Sequence, residues 1–219
     1  MRLQQKQKIQ ALFFDFDGVL FDLEPLHFKA WELTLEKLGY RDPSFSLENV
    51  VGISDKEIAD YFINFFSLSM KSENLEEEKE LNYDYLISSV QFPTKELHDI
   101  LKKYRQSFKL LIVSSSTTRA IKKILDRCNL ADYFFTIIGA DKVQNHKPHP
   151  EPYHMALEAC SISADQAVAI EDSVAGLRSA QDVGIRAIWF KRYQHTPSSE
   201  YQNSFPSISH LSELEFYIQ

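Results

Sequence analysis

Cysteine is scarce in this chain of 219 residues, and long apolar runs are missing altogether. The two cysteines, Cys128 and Cys160, have neither the density of a disulfide framework nor the spacing of a metal site. They read as reduced packing residues, and a catalytic thiol is not expected. No uninterrupted apolar stretch exceeds about five residues, far short of the ~20 that a membrane span needs. The polar start MRLQQKQKIQ has no signal-peptide apolar region. A cytoplasmic protein with no membrane partner is the expectation. Internal repeats, low-complexity tracts and long Gly/Ser linkers are absent as well. So is any surplus of positive charge: the net charge of −7 argues against a nucleic-acid surface. What remains is an ordinary globular composition, 44% hydrophobic, with enough chain for one domain plus an insertion.

The charge is unevenly spread. Residues 20–92 hold 6 Lys/Arg against 15 Asp/Glu, a balance of −9, so the rest of the chain carries +2. ENLEEEKE, residues 73–80, supplies much of that acidity and reads as a solvated helix face. Short β-rich apolar runs recur at 11–14, 109–113, 133–139, 166–170 and 185–190. Helical spacing fills the gaps between the later four, the last helix stopping at Gly184. Strands alternating with helices imply right-handed crossovers and a parallel sheet covered on both sides. The interval from 20 to 92 breaks the rhythm and reads almost entirely as helix. Pro25 stands at a helix start, Gly39 at a stop, and Ser54 with Glu57 has capping-box spacing. Tyr61, Phe62, Phe65 and Phe66 are expected to form this insertion's own small core. The fold class is therefore α/β, a Rossmann-like doubly wound parallel sheet (1–19 and 93–219) with an inserted all-helical domain (20–92).

ALFFDFDGVLFD, residues 11–22, drives an apolar run into a core and ends it on Asp15 and Asp17. A buried strand leaving through an Asp17-Gly18 turn would explain that much alone. In a parallel sheet, however, ligands bind beyond the carboxyl ends of the strands. There the sequence places Asp15 and Asp17, then SSSTTR from Ser114, then Lys147 just ahead of two prolines, then Glu171 and Asp172. Carboxylates from separate strands suit a hard cation such as Mg²⁺ beside a phosphate. Ser114 and the N–H groups after it, at a helix start, suit phosphate oxygens. Lys147 adds a point charge on a loop stiffened by Pro148 and Pro150. Each feature has a plain structural explanation, as cap, solvated loop residue or helix start, but their succession at consecutive strand ends does not follow from packing.

DFDGVLFD, VSSS, HKPHPEPY and AIEDSVAG resemble, in order and spacing, the four signature motifs of the haloacid-dehalogenase superfamily. The likeness is to the branch containing β-phosphoglucomutase and small phosphosugar phosphatases, over roughly residues 10–190. The resemblance implies a mobile helical cap inserted after the first strand. It implies Asp15 as a nucleophile that becomes an aspartyl phosphate, Asp17 as general acid/base, and Ser114 and Lys147 as holders of the phosphoryl group. Mg²⁺ would sit on the Asp15 carboxylate, the Asp17 backbone carbonyl and Asp172, with Glu171 nearby. Gly18, Ser115 and, from the insertion, His27 and Gly52 would meet the substrate.

Two departures bear on that substrate. The family's mutases carry an arginine in the cap loop where this sequence reads GISD, placing Asp55 there, and Lys-Asn where it has Thr117 and Thr118. Those residues grip a second phosphate, and Lys56 and Arg119 replace them only in part. The expectation is a monomeric, Mg²⁺-dependent phosphatase of a small phosphorylated metabolite. A phosphoglucomutase-type mutase is the alternative, and a silent phosphometabolite binder the third reading.

Overall fold

A computed structural model describes residues 8–47, 53–92, 94–192 and 204–218. The chain divides into two compact units, residues 1–21 with 93–219, and residues 22–92. Strand β1 (Ala11–Phe14) opens the first unit. Helices α1 (Glu24–Lys37), α2 (Asp55–Phe66) and α3 (Ser72–Ser89) build the second. The first unit resumes with α4 (Lys95–Arg105), β2 (Lys109–Val113), α5 (Thr118–Arg127) and β3 (Thr136–Ile138). It continues through α6 (Glu151–Cys160), β4 (Ala167–Glu171), α7 (Val174–Asp182), β5 (Arg186–Phe190) and a short β6 (Ser207–Ile208).

The six strands form one sheet in the order β3-β2-β1-β4-β5-β6, and every pairing is parallel. β1 is central, flanked by β2 and β4, which is why all four of its residues are apolar and fully buried. Successive side chains point to opposite faces. Ala11, Phe13, Leu111 and Val113 join the cluster that α6 and α7 cover through Tyr153, Leu157 and Leu177. Leu12, Phe14, Leu110 and Ile112 are equally buried on the other face, where α4 packs on β2. This is the Rossmann-like arrangement expected from the strand and helix runs. β3 is shorter than expected because 3-10 turns at Ala131–Tyr133 and Ala140–Lys142 take its flanks. α4, β6 and the 3-10 stretch Leu211–Phe216 were not anticipated.

In the second unit, α3 packs against both α1 and α2. Ser54 and Glu57 form the expected capping box at the start of α2, and Gly39, at φ +81°, follows the end of α1. Trp31, Leu35, Ile58, Ala59, Phe62 and Leu75 make the core, with Phe45 and Phe66 against it. The aromatic quartet is split. Phe62 is buried, but Tyr61 and Phe65 are 44% and 55% exposed and stack on each other. On α2 these two lie at i and i+4 on an outward stripe, so only part of the quartet faces the core.

The acidic run on α3 hides one buried cation. Lys79 is 1% exposed, and its ammonium lies 2.6 Å from an Asp55 oxygen and 2.6 Å from His27 Nδ1. Asp55 accepts a second bond from Trp31 Nε1, 2.9 Å. Asp55 is therefore the first residue of α2, balanced by Lys79, and not the lone loop anion expected. Among the described residues, no helix is long and apolar enough to cross a membrane.

Candidate active site

The ends of β1 and β4, with the loop before α6, bring Asp15, Lys147, Glu171 and Asp172 of the expected residues together. The Asp15 N–H donates to the Ile170 carbonyl, 2.9 Å, so the β1–β4 ladder runs one residue past the strand. That fixes the backbone of Asp15 beside the end of β4, where Glu171 and Asp172 follow. Asp15 and Glu171 are buried, Glu171 completely.

Lys147 reaches the same point from the loop before α6. Its ammonium donates to Val113 O at 2.7 Å, Glu171 Oε1 at 2.6 Å and Asp15 Oδ1 at 3.1 Å, which uses all three of its hydrogens. Burial alone would pull this ammonium down, but Asp15 and Glu171 more than offset it and lift its pKa to about 12. It is a fixed positive charge at any physiological pH. Tyr153 on α6 also donates to Glu171 Oε1, and Lys147 lies over its ring.

Two glycines let the acidic residues pack. A side chain at Gly18 would begin 1.7 Å from Asp172 Oδ2, and one at Gly176 would begin 1.9 Å from Glu171 Oε2. Gly18 also has a φ of +76°, which only glycine adopts without strain. Its N–H donates to Asp17 Oδ1, 2.9 Å.

Ser114 is buried; its N–H donates to the Ile138 carbonyl, and its Oγ accepts from the Ser116 N–H. Ser115 beside it is exposed. The helix start after the serines differs from expectation. Asp141 accepts from the Thr118 N–H, and Thr117 caps the Ala120 N–H. The Thr118 and Ala120 amides are thus already engaged within the protein. Of the remaining expected residues, His27 lies in the second unit, stacked on Tyr83 at 4.0 Å. Gly52 lies outside the described residues.

Charge decides what this cluster can hold. Asp15, Glu171 and Asp172 each offer an oxygen, and these oxygens lie within 4.8 Å of one another. One ammonium stands against three carboxylates. Burial, only partly countered by Lys147, raises the Glu171 pKa to about 7. Asp172 is raised well above the carboxylate range by burial and then by Asp15, Glu171 and Asp17. Glu171 Oε2 is buried with no hydrogen-bond partner. A hard divalent cation that prefers oxygen ligands fits this set: it matches the donor type and balances the excess charge. The Asp17 side chain is not among the three clustered carboxylates.

The family pattern of the haloacid dehalogenase-like hydrolases matches residues 12–190, which include all of these core residues. The chain belongs to this family. A phosphorylated carbohydrates phosphatase of Thermotoga maritima is 29% identical over 83% of this chain and 84% of its own. The β-phosphoglucomutase of Bacillus subtilis is 29% identical over 82% of each chain. The crystal structure of CbbY from Rhodobacter sphaeroides in complex with phosphate superposes with a TM-score of 0.76, at 23% identity, over 94% of this chain and 96% of that one.

Three residues in this haloacid dehalogenase-like hydrolase carry contacts that the motifs did not single out. Tyr153 sits inside the HKPHPEPY stretch, and a fully buried tyrosine hydroxyl needs a partner, which was a usable signal. Lys79 was masked by its acidic neighbours. Arg192, after β5, had no motif to mark it.

Proposed function

We propose that this hydrolase is a Mg²⁺-dependent phosphatase of small phosphate monoesters, sugar phosphates among them, acting through an aspartyl phosphate on Asp15. The observation that carries this reading is the gathering of buried Asp15 and Glu171, the Lys147 ammonium and half-buried Asp172 at the carboxyl ends of β1 and β4, with an excess of negative charge.

Asp15 is the nucleophile. Its Oδ1 is held by Lys147, which fixes the carboxylate's orientation. Asp15, Asp172 and the Asp17 carbonyl, with Glu171 nearby, would hold Mg²⁺, which would supply the charge that lets a carboxylate approach a phosphate. The Ser114–Ser115 segment holds phosphoryl oxygens through the transfer, where charge spreads over them, and Lys147 joins it by exchanging one of its three protein bonds for a phosphoryl oxygen. Asp17 protonates the departing alcohol and then takes a proton from the water that attacks the aspartyl phosphate. The missing side chain at Gly18 keeps the Asp172 carboxylate unobstructed. Tyr153 and Lys147 together orient Glu171.

The insertion, residues 20–92, is proposed to act as the cap that closes over substrate, with His27 and Gly52 its contact residues, and the enzyme to work as a cytoplasmic monomer. The similarity to the T. maritima phosphatase supports a sugar-phosphate substrate, and the similarity to the B. subtilis enzyme supports the mutase alternative equally. The chemistry of the insertion favours hydrolysis. A mutase must hold a second, non-reacting phosphate, whose removal from water costs at least several kcal/mol without a cation. The insertion carries −9, and its buried cation, Lys79, is already committed to Asp55.

The test is a panel of phosphate monoesters with Mg²⁺, following inorganic phosphate and isomerised sugar together. Phosphate release without interconversion of hexose 1- and 6-phosphates is expected. Bisphosphate-stimulated isomerisation that outruns phosphate release would establish the mutase.

A further inference from the structure

The turn that follows the catalytic strand is closed partly by bonds of its own and partly from a distant residue. The Phe16 carbonyl accepts from the Leu20 and Phe21 N–H groups, and the Gly18 N–H donates to the Phe21 carbonyl at 2.7 Å. The Gly18 and Val19 carbonyls are held from elsewhere. Arg192 donates from Nε to Gly18 O at 2.7 Å and from a terminal nitrogen to Val19 O at 3.0 Å. These are charge-assisted bonds from one planar group to two successive peptides, a grip that fixes orientation as well as distance.

The arginine is itself anchored. It follows β5, its guanidinium lies 5.3 Å from the Phe190 ring, and the preceding Lys191 N–H is bound to Ile208 O of β6 at 2.8 Å. The far edge of the sheet is thus tied to the turn 174 positions earlier in the chain. That turn controls the proton donor. The Gly18 N–H is shared between the Phe21 carbonyl and Asp17 Oδ1, so the backbone of the turn touches the Asp17 carboxyl directly. That N–H belongs to the Asp17–Gly18 peptide, joined at the Gly18 Cα to the Gly18–Val19 peptide that Arg192 holds, so the grip on the Gly18 carbonyl limits how the N–H beside Asp17 can turn.

We propose that Arg192 is a positioning residue for acid–base catalysis, fixing through the Gly18 and Val19 carbonyls the turn that aims Asp17. This rests on the reading of Asp17 as proton donor given above. It has a signature that general loosening of the fold does not share. An alkyl phosphate leaves as a basic alkoxide and needs the proton, whereas p-nitrophenyl phosphate has a stabilised leaving group and needs it little.

The experiment compares Arg192→Ala and Arg192→Lys with the unaltered enzyme, with Mg²⁺, on a hexose monophosphate and on p-nitrophenyl phosphate. General acid catalysis is worth about 10²–10⁴-fold, so a misaimed acid is expected to lower kcat on the sugar phosphate by about tenfold or more. On p-nitrophenyl phosphate the loss should stay below about threefold, with KM for both substrates little changed, and lysine should recover part of the loss. Equal losses on both substrates, or none, would overturn the positioning role. Amide hydrogen exchange of residues 16–21 reads the grip without any turnover. Faster exchange there in Arg192→Ala, with residues 109–113 unchanged, supports it, and unchanged exchange at 16–21 contradicts it. An unaltered enzyme that hydrolyses neither ester would instead sink the phosphatase reading, leaving the grip to be judged by exchange.

Discussion

The two units of this chain bury charge in opposite ways. In the helical unit, Lys79 meets one carboxylate, Asp55, whose other oxygen is taken by Trp31, and the network closes on itself. In the sheet unit, Lys147 meets Asp15 and Glu171 with Asp172 beside them, and a buried carboxylate oxygen is left over. A buried ion pair that balances contributes mainly to holding a structure together. One that does not balance is costly unless something else completes it, which makes the imbalance itself a mark of function.

That contrast can be broken at several points. The largest effect is expected at Asp15. Asp15→Asn keeps the residue's size but removes the nucleophile and a metal ligand together, so turnover should fall by about 10³-fold or more. Circular dichroism should show the fold intact; near-normal turnover by the purified variant would refute the assignment. Next comes the cation. Mg²⁺ at 100 times its Kd should stabilise the protein by about 2.7 kcal/mol, because it completes the sheet unit's cluster. Calorimetry with and without EDTA measures this, and a melting temperature indifferent to Mg²⁺ would mean that the cluster needs no cation.

A smaller effect belongs to the helical unit. Lys79→Met leaves Asp55 without its counter-charge and should cost about 2 kcal/mol, less than in a fully buried pair because Asp55 is 38% exposed. Denaturant unfolding should show this loss, and adding Asp55→Asn should restore part of it. Full stability in Lys79→Met would remove the balanced-network description. The smallest effect is a pH dependence. Burial, then Lys79, lowers the His27 pKa to about 3, against an upward pull from Asp55. Between about 3 and 6.5 the unfolded chain binds a proton at this site that the folded chain does not. Stability from His27 is therefore complete well above pH 6.5 and declines as pH falls, by about 1 kcal/mol by pH ~5.8. His27→Asn should flatten that slope in an unfolding series between pH 5 and 7.

Legibility in the sequence followed the same divide. The sheet unit was readable because its strands are buried on both faces, so apolar runs such as ALFF and KLLIV announce themselves, and chemistry collects where such runs end. Asp15, Ser114, Lys147, Glu171 and Asp172 were all found that way. Contacts that depend on distant pairing were not: Arg192 reaches Gly18, and Asp141 takes the Thr118 amide, without any local pattern to betray it. β6 is only two residues long, too short to carry a period. In the helical unit, caps at Ser54 and Gly39 were legible because they are local. Which of Tyr61, Phe62, Phe65 and Phe66 face inward depended on how α2 is turned against α3, and the reading of Asp55 missed a partner 24 residues away.

The central claim, that the unbalanced cluster of the sheet unit is a nucleophilic site centred on Asp15, has a direct test. Enzyme mixed with a hexose monophosphate and Mg²⁺ is quenched within a single turnover, reduced with borohydride and digested, and its peptides are weighed. Borohydride converts an acyl phosphate to an alcohol, so the account predicts homoserine in place of aspartate at position 15, dependent on substrate. Reduction at a different residue, or none while phosphate is released at full rate, would contradict it.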